Sequence, residues 1–107
     1  MDELADDQLC TVDCVYDDSG TVVISLAGEL DASQIERISL QLNELLTREP
    51  EKIVFDMGGL TFMDSTGIGL MIQTKRSVSD FEIQNAGSAV RRVIEATGLS
   101  AELGLEP

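Results

Sequence analysis

Apolar and polar residues alternate through LCTVDCVY, so that Cys10, Val12, Cys14 and Tyr16 share one face, and this period of two predicts a strand. DDSG reads as a turn, and TVVISLAG repeats the alternation with Val22, Ile24 and Leu26, so a hairpin is expected. The period then changes. In ELDASQIERISLQLNELLTREP, Ile35, Ile38, Leu42, Leu45 and Leu46 recur at helical spacing, with Pro50 beyond the end. Asp31 and Gln34 have capping-box spacing, and Leu30 with Ile35 can form a hydrophobic staple. KIVFD is almost wholly apolar, as expected of a strand covered on both faces. MGGLTFMD reads as a loop, followed by a helix from about Ser65 to Val78 and a strand, FEIQN, with Phe81 and Ile83 aligned. A last helix starts near Ser88, its expected N-cap, with Val90, Val93, Ile94 and Thr97 on one stripe. Gly98 fits a left-handed C-cap with Leu99 as its apolar partner.

The order strand, strand, helix, strand, helix, strand, helix predicts one α/β domain with a small mixed sheet, an N-terminal antiparallel hairpin feeding two right-handed βαβ crossovers. If the second and third strands are adjacent and parallel, the turns leaving them open on the same sheet edge. Asp31 then lies near Asp64 and Ser65, at the carboxyl edge where α/β sheets place their sites. The loop before Ser65 is also longer than the usual connection of about 2–6 residues.

With 107 residues, the chain suffices for one domain and a modest core. Its start, MDELADD, reads as a frayed acidic tail over residues 1–8, leaving 9–107 as the domain. Neither that start nor any apolar run resembles a signal peptide or a membrane span, so a cytoplasmic protein is expected. The net charge of −13 disfavours nucleic acid and anionic membrane as partners. It suits a basic protein surface, and equally well serves solubility alone. Cys10 and Cys14 share a strand face too far apart to bond, and without histidine they have no convincing companions for a metal, so free buried thiols are expected.

The chemistry concentrates in FMDSTGIGLM, Phe62 to Met71. A serine nucleophile needs a base, and the chain has no histidine; Lys75 lies ten residues on in the same predicted helix. Gly67 and Gly69 form a bare G-x-G at a helix start. Leu70 stands where a phosphate-binding Walker loop needs lysine, and close packing explains such glycines as well. Ser65 can instead receive a phosphate, which would meet unpaired N–H groups at the positive end of the helix dipole. Spacing alone equally allows Asp64 or Ser65 to be no more than the N-cap.

GELD at Gly28–Asp31 together with LTFMDSTGIGLM at Leu60–Met71 resembles the anti-sigma factor antagonists of the STAS domain family, and the likeness extends to SAVRRVIEATGL. NAGSAV departs from the S-P-x-V entry common before the last helix of that family. The resemblance implies a non-enzymatic phosphoprotein without cofactor. Its partners would be an anti-sigma factor serine kinase, which phosphorylates Ser65, and a serine/threonine phosphatase that reverses this. Asp31, Asp64, Ser65, Thr66 and Gly67 would make the partner site, joined by exposed parts of the helix after Ser65. Gly67 is read as clearance for the approaching γ-phosphate at a helix end, where the fold would tolerate a side chain. Met63 and Met71 are expected in the core. The alternative that the resemblance leaves is a non-switching STAS subunit of a transporter or stress-sensing complex.

Overall fold

The computed structural model describes residues 10–105. The expected tail at residues 1–8 lies outside them. The DDSG turn closes on one carboxylate: Asp17 Oδ1 accepts from Ser19 N at 2.8 Å, Ser19 Oγ at 2.6 Å and Thr21 N at 3.1 Å. Gly20 supplies the positive φ of 90° that the turn requires. This folds strand β1 (Thr11–Tyr16) antiparallel onto β2 (Thr21–Leu30), pairing Val12 with Leu26 and Cys14 with Ile24. Helix α1 (Ala32–Leu46) returns the chain to β3 (Lys52–Met63), and α2 (Ser65–Arg76) returns it to β4 (Asp80–Gln84). Both new pairs are parallel, the sheet order is β1-β2-β3-β4, and α3 (Ser88–Thr97) follows.

Because β2, β3 and β4 advance in one direction, right-handed crossovers place α1 and α2 on the same sheet face. The core confirms this. Ile38 and Leu42 of α1, Ile68 and Met71 of α2 and Val90 and Ile94 of α3 join one cluster with Val22, Ile24, Leu26, Ile53, Phe55 and Met57. KIVFD is buried on both faces, as expected, but its two faces have different surroundings. Val54 lies outside that cluster, between Val23 and Glu82 in register, and is 4% exposed. An apolar run cannot distinguish burial under a helix from burial between neighbouring side chains.

The expected loop MGGLTFMD is also corrected. Its residues through Met63 are strand, since β2 runs on to Leu30 and offers β3 a partner. Register shifts at Ser25/Ala27 and Gly28/Glu29 absorb the irregularity. Gly59 serves close approach rather than a turn, for a Cβ there would lie 2.9 Å from that of Ala27.

At the far end, Gly87 and not Ser88 is the N-cap of α3, with no side-chain cap bond. Gly98 does take the left-handed conformation, φ 78°, and Leu99 packs against the core. A final turn, read as neither helix nor core from the sequence, then buries Leu103 and Leu105. Met63 and Met71 are core residues, as expected.

Candidate functional site

The parallel pairing of β2 and β3 brings the starts of α1 and α2 together at the carboxyl edge of the sheet, with Leu30 beside Met63. Asp64 N donates to Leu30 O at 3.1 Å, locking one turn to the other. Each helix then opens on an aspartate N-cap. Asp31 Oδ1 accepts from Ser33 N at 3.0 Å and Ser33 Oγ at 2.6 Å. Asp64 Oδ1 accepts from Thr66 N at 3.0 Å and from the Thr66 hydroxyl. Its second oxygen crosses to the other helix and accepts from Ala32 N at 3.3 Å. One carboxylate thus satisfies orphan amides on both helices.

Electrostatically, partial burial raises the Asp64 carboxyl pKa, but the bonds from the Thr66 hydroxyl and amide and from the Ala32 amide outweigh it. The net pKa lies below the ordinary carboxylate range, so Asp64 is firmly ionised at neutral pH.

The two hydroxyls of the expected site are not equivalent. That of Thr66 is committed to Asp64. Ser65, the first residue of α2, is exposed, and among the described residues its hydroxyl has no hydrogen-bond partner. The expected supply of unpaired N–H groups at this helix start is reduced, because Thr66 N is held by the Asp64 side chain and Gly67 N by Asp64 O at 3.0 Å.

Gly67 also differs from its sequence reading. It is buried, and a Cβ there would lie 2.5 Å from Met63 Cγ, 2.8 Å from Met63 Sδ and 3.0 Å from Leu30 Cδ2. The missing side chain lets α2 sit down on the core beneath Ser65, so Gly67 positions the turn and presents no side-chain surface. Contrary to the sequence expectation, a side chain at Gly67 would collide with the core.

Gln34 does not complete the capping box. Its Oε1 accepts from Cys10 N and from Arg37 Nη2 at 3.1 Å, while Nε2 donates to Glu29 O at 2.7 Å. Arg37 Nη2 also donates to Cys10 O at 2.7 Å. This buried amide ties the entry of β1 to the turn that carries Asp31, a long-range role invisible to a four-residue motif. Phe62, 45% exposed and opposite Glu29 in register, adds an aromatic surface to the same edge. Desolvation raises the pKa of the Cys10 thiol against the pull of Arg37, and raises that of Cys14 with help from Asp13. Both thiols therefore stay protonated, Cys10 buried and Cys14 half-buried. Among the described residues, no group of three or more acidic, cysteine or histidine side chains is placed to hold a metal, and no helix is long and apolar enough to cross a membrane.

Comparison with known proteins matches residues 15–107 to the STAS domain. The anti-sigma F factor antagonist of Lysinibacillus sphaericus is 32% identical over 84 residues, covering 74% of this chain and 72% of that protein. An anti-sigma factor antagonist from Mycobacterium paratuberculosis superposes with a TM-score of 0.84 at 25% identity, over 94% of this chain and 87% of that one. The anti-sigma factor antagonist SpoIIAA in its unphosphorylated form gives 0.74 at 29% identity, over 85% and 84%. The phosphorylated form of SpoIIAA, a Bacillus cell fate determinant, gives 0.66 at 28% identity, over 85% and 86%.

Proposed function

The chain belongs to the STAS domain family, and we propose that within it this protein is an anti-sigma factor antagonist switched by phosphorylation of Ser65. Unphosphorylated, it binds an anti-sigma factor that is also a serine kinase, and so frees a sigma factor in the cytoplasm. The kinase transfers the γ-phosphoryl of ATP: an Oγ–P bond forms at Ser65, the bond to ADP breaks, and the kinase takes the hydroxyl proton. A serine/threonine phosphatase reverses the change. The protein is substrate and binding module, with no catalysis of its own.

The observation that carries this reading is the exposed hydroxyl of Ser65, without a hydrogen-bond partner among the described residues, beside a neighbour, Thr66, whose hydroxyl is already committed. The likeness to an antagonist solved in both phosphorylated and unphosphorylated forms supports it. Phosphate at Ser65 adds about −1.5 to −2 charges next to ionised Asp64 and near Asp31. With the first-turn amides largely taken, that charge stays directed at the partner. Weakening a complex from nanomolar to micromolar requires about 4 kcal/mol, within reach of repulsion and desolvation at one interface point.

The test is a pull-down with ADP, then ATP, identifying the bound protein by mass spectrometry. A kinase retained with ADP and released with ATP, with phosphate mapped to Ser65 and no release from Ser65→Ala, is the expected result. Stable association with a transporter ATPase, indifferent to ATP and to Ser65, would overturn the reading in favour of a non-switching subunit.

A further inference from the structure

Gly69 lies one turn beyond Ser65 on the same side of α2, and it differs from Gly67 in every respect that bears on packing. It is exposed, and a Cβ built on it meets no atom within 4 Å. A glycine inside a helix is less stable than alanine there, because more backbone freedom is lost on folding. The fold offers no compensation for that cost at Gly69.

Gly69 lines a groove of about 670 Å³ that runs along α2, with Thr97 at the end of α3 and Leu99 on its other side. Ser65 stands at one end and Arg76 at the other, with Ile68, Ile72 and Leu99 along the walls. The groove is polarised. Asp64 and Asp31 lie at the Ser65 end, while the Arg76 side chain, 75% exposed, is held only loosely by Glu102 Oε2 at 3.9 Å from Nη2.

We propose that this groove is the docking track for a segment of the kinase that phosphorylates Ser65, and that Gly69 is the clearance over which the segment passes. The inference rests on the reading of Ser65 as acceptor. Phosphoryl transfer requires the γ-phosphorus to come within about 3–3.5 Å of the hydroxyl. A body that large must also cover the next helical turn, about 5.4 Å along the axis, which is where Gly69 lies. The chemistry of the track defines its occupant. Basic groups meet Asp31 and Asp64, an aliphatic side chain crosses Gly69 to reach Ile72 and Leu99, and a carboxylate meets Arg76. This order gives the segment one direction along α2.

The experiment measures the Kd of the purified kinase recovered in the ADP pull-down for wild type, Gly69→Ala, Gly69→Leu and Arg76→Glu, beside thermal unfolding of each variant. Gly69→Ala should melt at or above the wild-type temperature and bind about threefold more weakly. Gly69→Leu should stay folded and lose about thirtyfold or more, as expected for an obstruction at the centre of an interface. Arg76→Glu should lose about fivefold, with a reduced salt dependence. Wild-type affinity in folded Gly69→Leu would overturn the proposal while leaving the switch at Ser65 intact. Failure of Gly69→Leu to fold would contradict the open space at Gly69 and overturn it equally. If wild type neither bound the kinase nor accepted phosphate at Ser65, the functional reading itself would fall.

Discussion

Helices α1 and α2 begin with the same device, and beyond the exchange of one hydroxyl residue for another, Ser33 for Thr66, they differ at two positions. In Asp31-Ala32-Ser33 and in Asp64-Ser65-Thr66, the aspartate takes the amide two residues on at 3.0 Å and that residue's hydroxyl as well. In both, the next amide, from Gln34 or Gly67, bonds the aspartate carbonyl at 3.0 Å. The first helical position is Ala32 in one and Ser65 in the other; the third is Gln34 in one and Gly67 in the other. Helix α1 shows that this cap needs no hydroxyl at its first residue. The Ser65 hydroxyl is therefore not explained by folding, whereas Gly67 is, because α2 could not otherwise sit on Met63 and Leu30.

Making the first position of α2 like that of α1 should have the largest effect on function and almost none on stability. Ser65→Ala removes an unbonded surface hydroxyl, so unfolding should shift by no more than about 0.5 kcal/mol. Incubation with the kinase and ATP should then produce no phosphorylated species by intact mass. A full phosphate equivalent on this variant would place the acceptor elsewhere and remove the significance of the difference between the two helices.

The third position should behave in the opposite way. Gly67→Val drives a branched side chain into Met63 and Leu30, which are 1% and 0% exposed and have little room to retreat. Overpacking of this kind costs about 1–3 kcal/mol, which the modestly better helix propensity of valine over glycine, weakened near a helix start, offsets only in small part. Urea denaturation should show a clear fall in midpoint, with slower phosphorylation following from the disturbed turn. An unchanged midpoint would mean that α2 is not seated as tightly as the Gly67 contacts imply.

The comparison also shows what the sequence made legible. Periodicity revealed all seven elements, and their order allowed β2 and β3 to be parallel neighbours, a condition that would place Asp31 near Asp64 and that the sheet meets. Local motifs failed where a long-range partner intervened. MGGLTFMD reads as a loop, yet β2 extends far enough to hold its residues through Met63 in a strand. Gln34 reads as half of a capping box, yet its amide is taken by Cys10 and Glu29. Gly67 and Gly69 are indistinguishable as letters, and only the core beneath one and the empty space above the other separate their roles.

The caps themselves should differ in weight, because Asp31 serves one helix and Asp64 serves two. Loss of an N-cap costs about 0.5–2 kcal/mol, so Asp31→Ala should fall near about 1 kcal/mol and Asp64→Ala near about 2 kcal/mol. The contribution of Asp64 carries a pH signature. Its folded pKa is depressed, so the unfolded chain binds the extra proton first as pH falls. The stabilisation is complete above the ordinary carboxylate pKa of about 4 and disappears as pH drops through the lower, folded value. The stability gap between wild type and Asp64→Ala should accordingly narrow on acidification below about pH 4. A gap independent of pH would show that the carboxylate charge is not what the Ala32 and Thr66 amides hold.

The smallest effect is expected at the second position, where the helices match. Thr66→Ala and Ser33→Ala each remove a hydroxyl that donates to its cap but leave the capping amide bond in place. A single exposed hydrogen bond contributes about 0.5–1.5 kcal/mol, and the Asp oxygen freed here can turn to water, so the lower figure applies to both. Their phosphorylation should also agree with wild type, because the Ser65 hydroxyl does not depend on either bond. Equal small losses of stability, with phosphate still mapped to Ser65 in both variants, would establish Thr66 as the counterpart of Ser33 and a member of the cap. Loss of phosphate incorporation in Thr66→Ala alone, with its fold intact, would assign the acceptor role to Thr66 and reverse the distinction between the two hydroxyls.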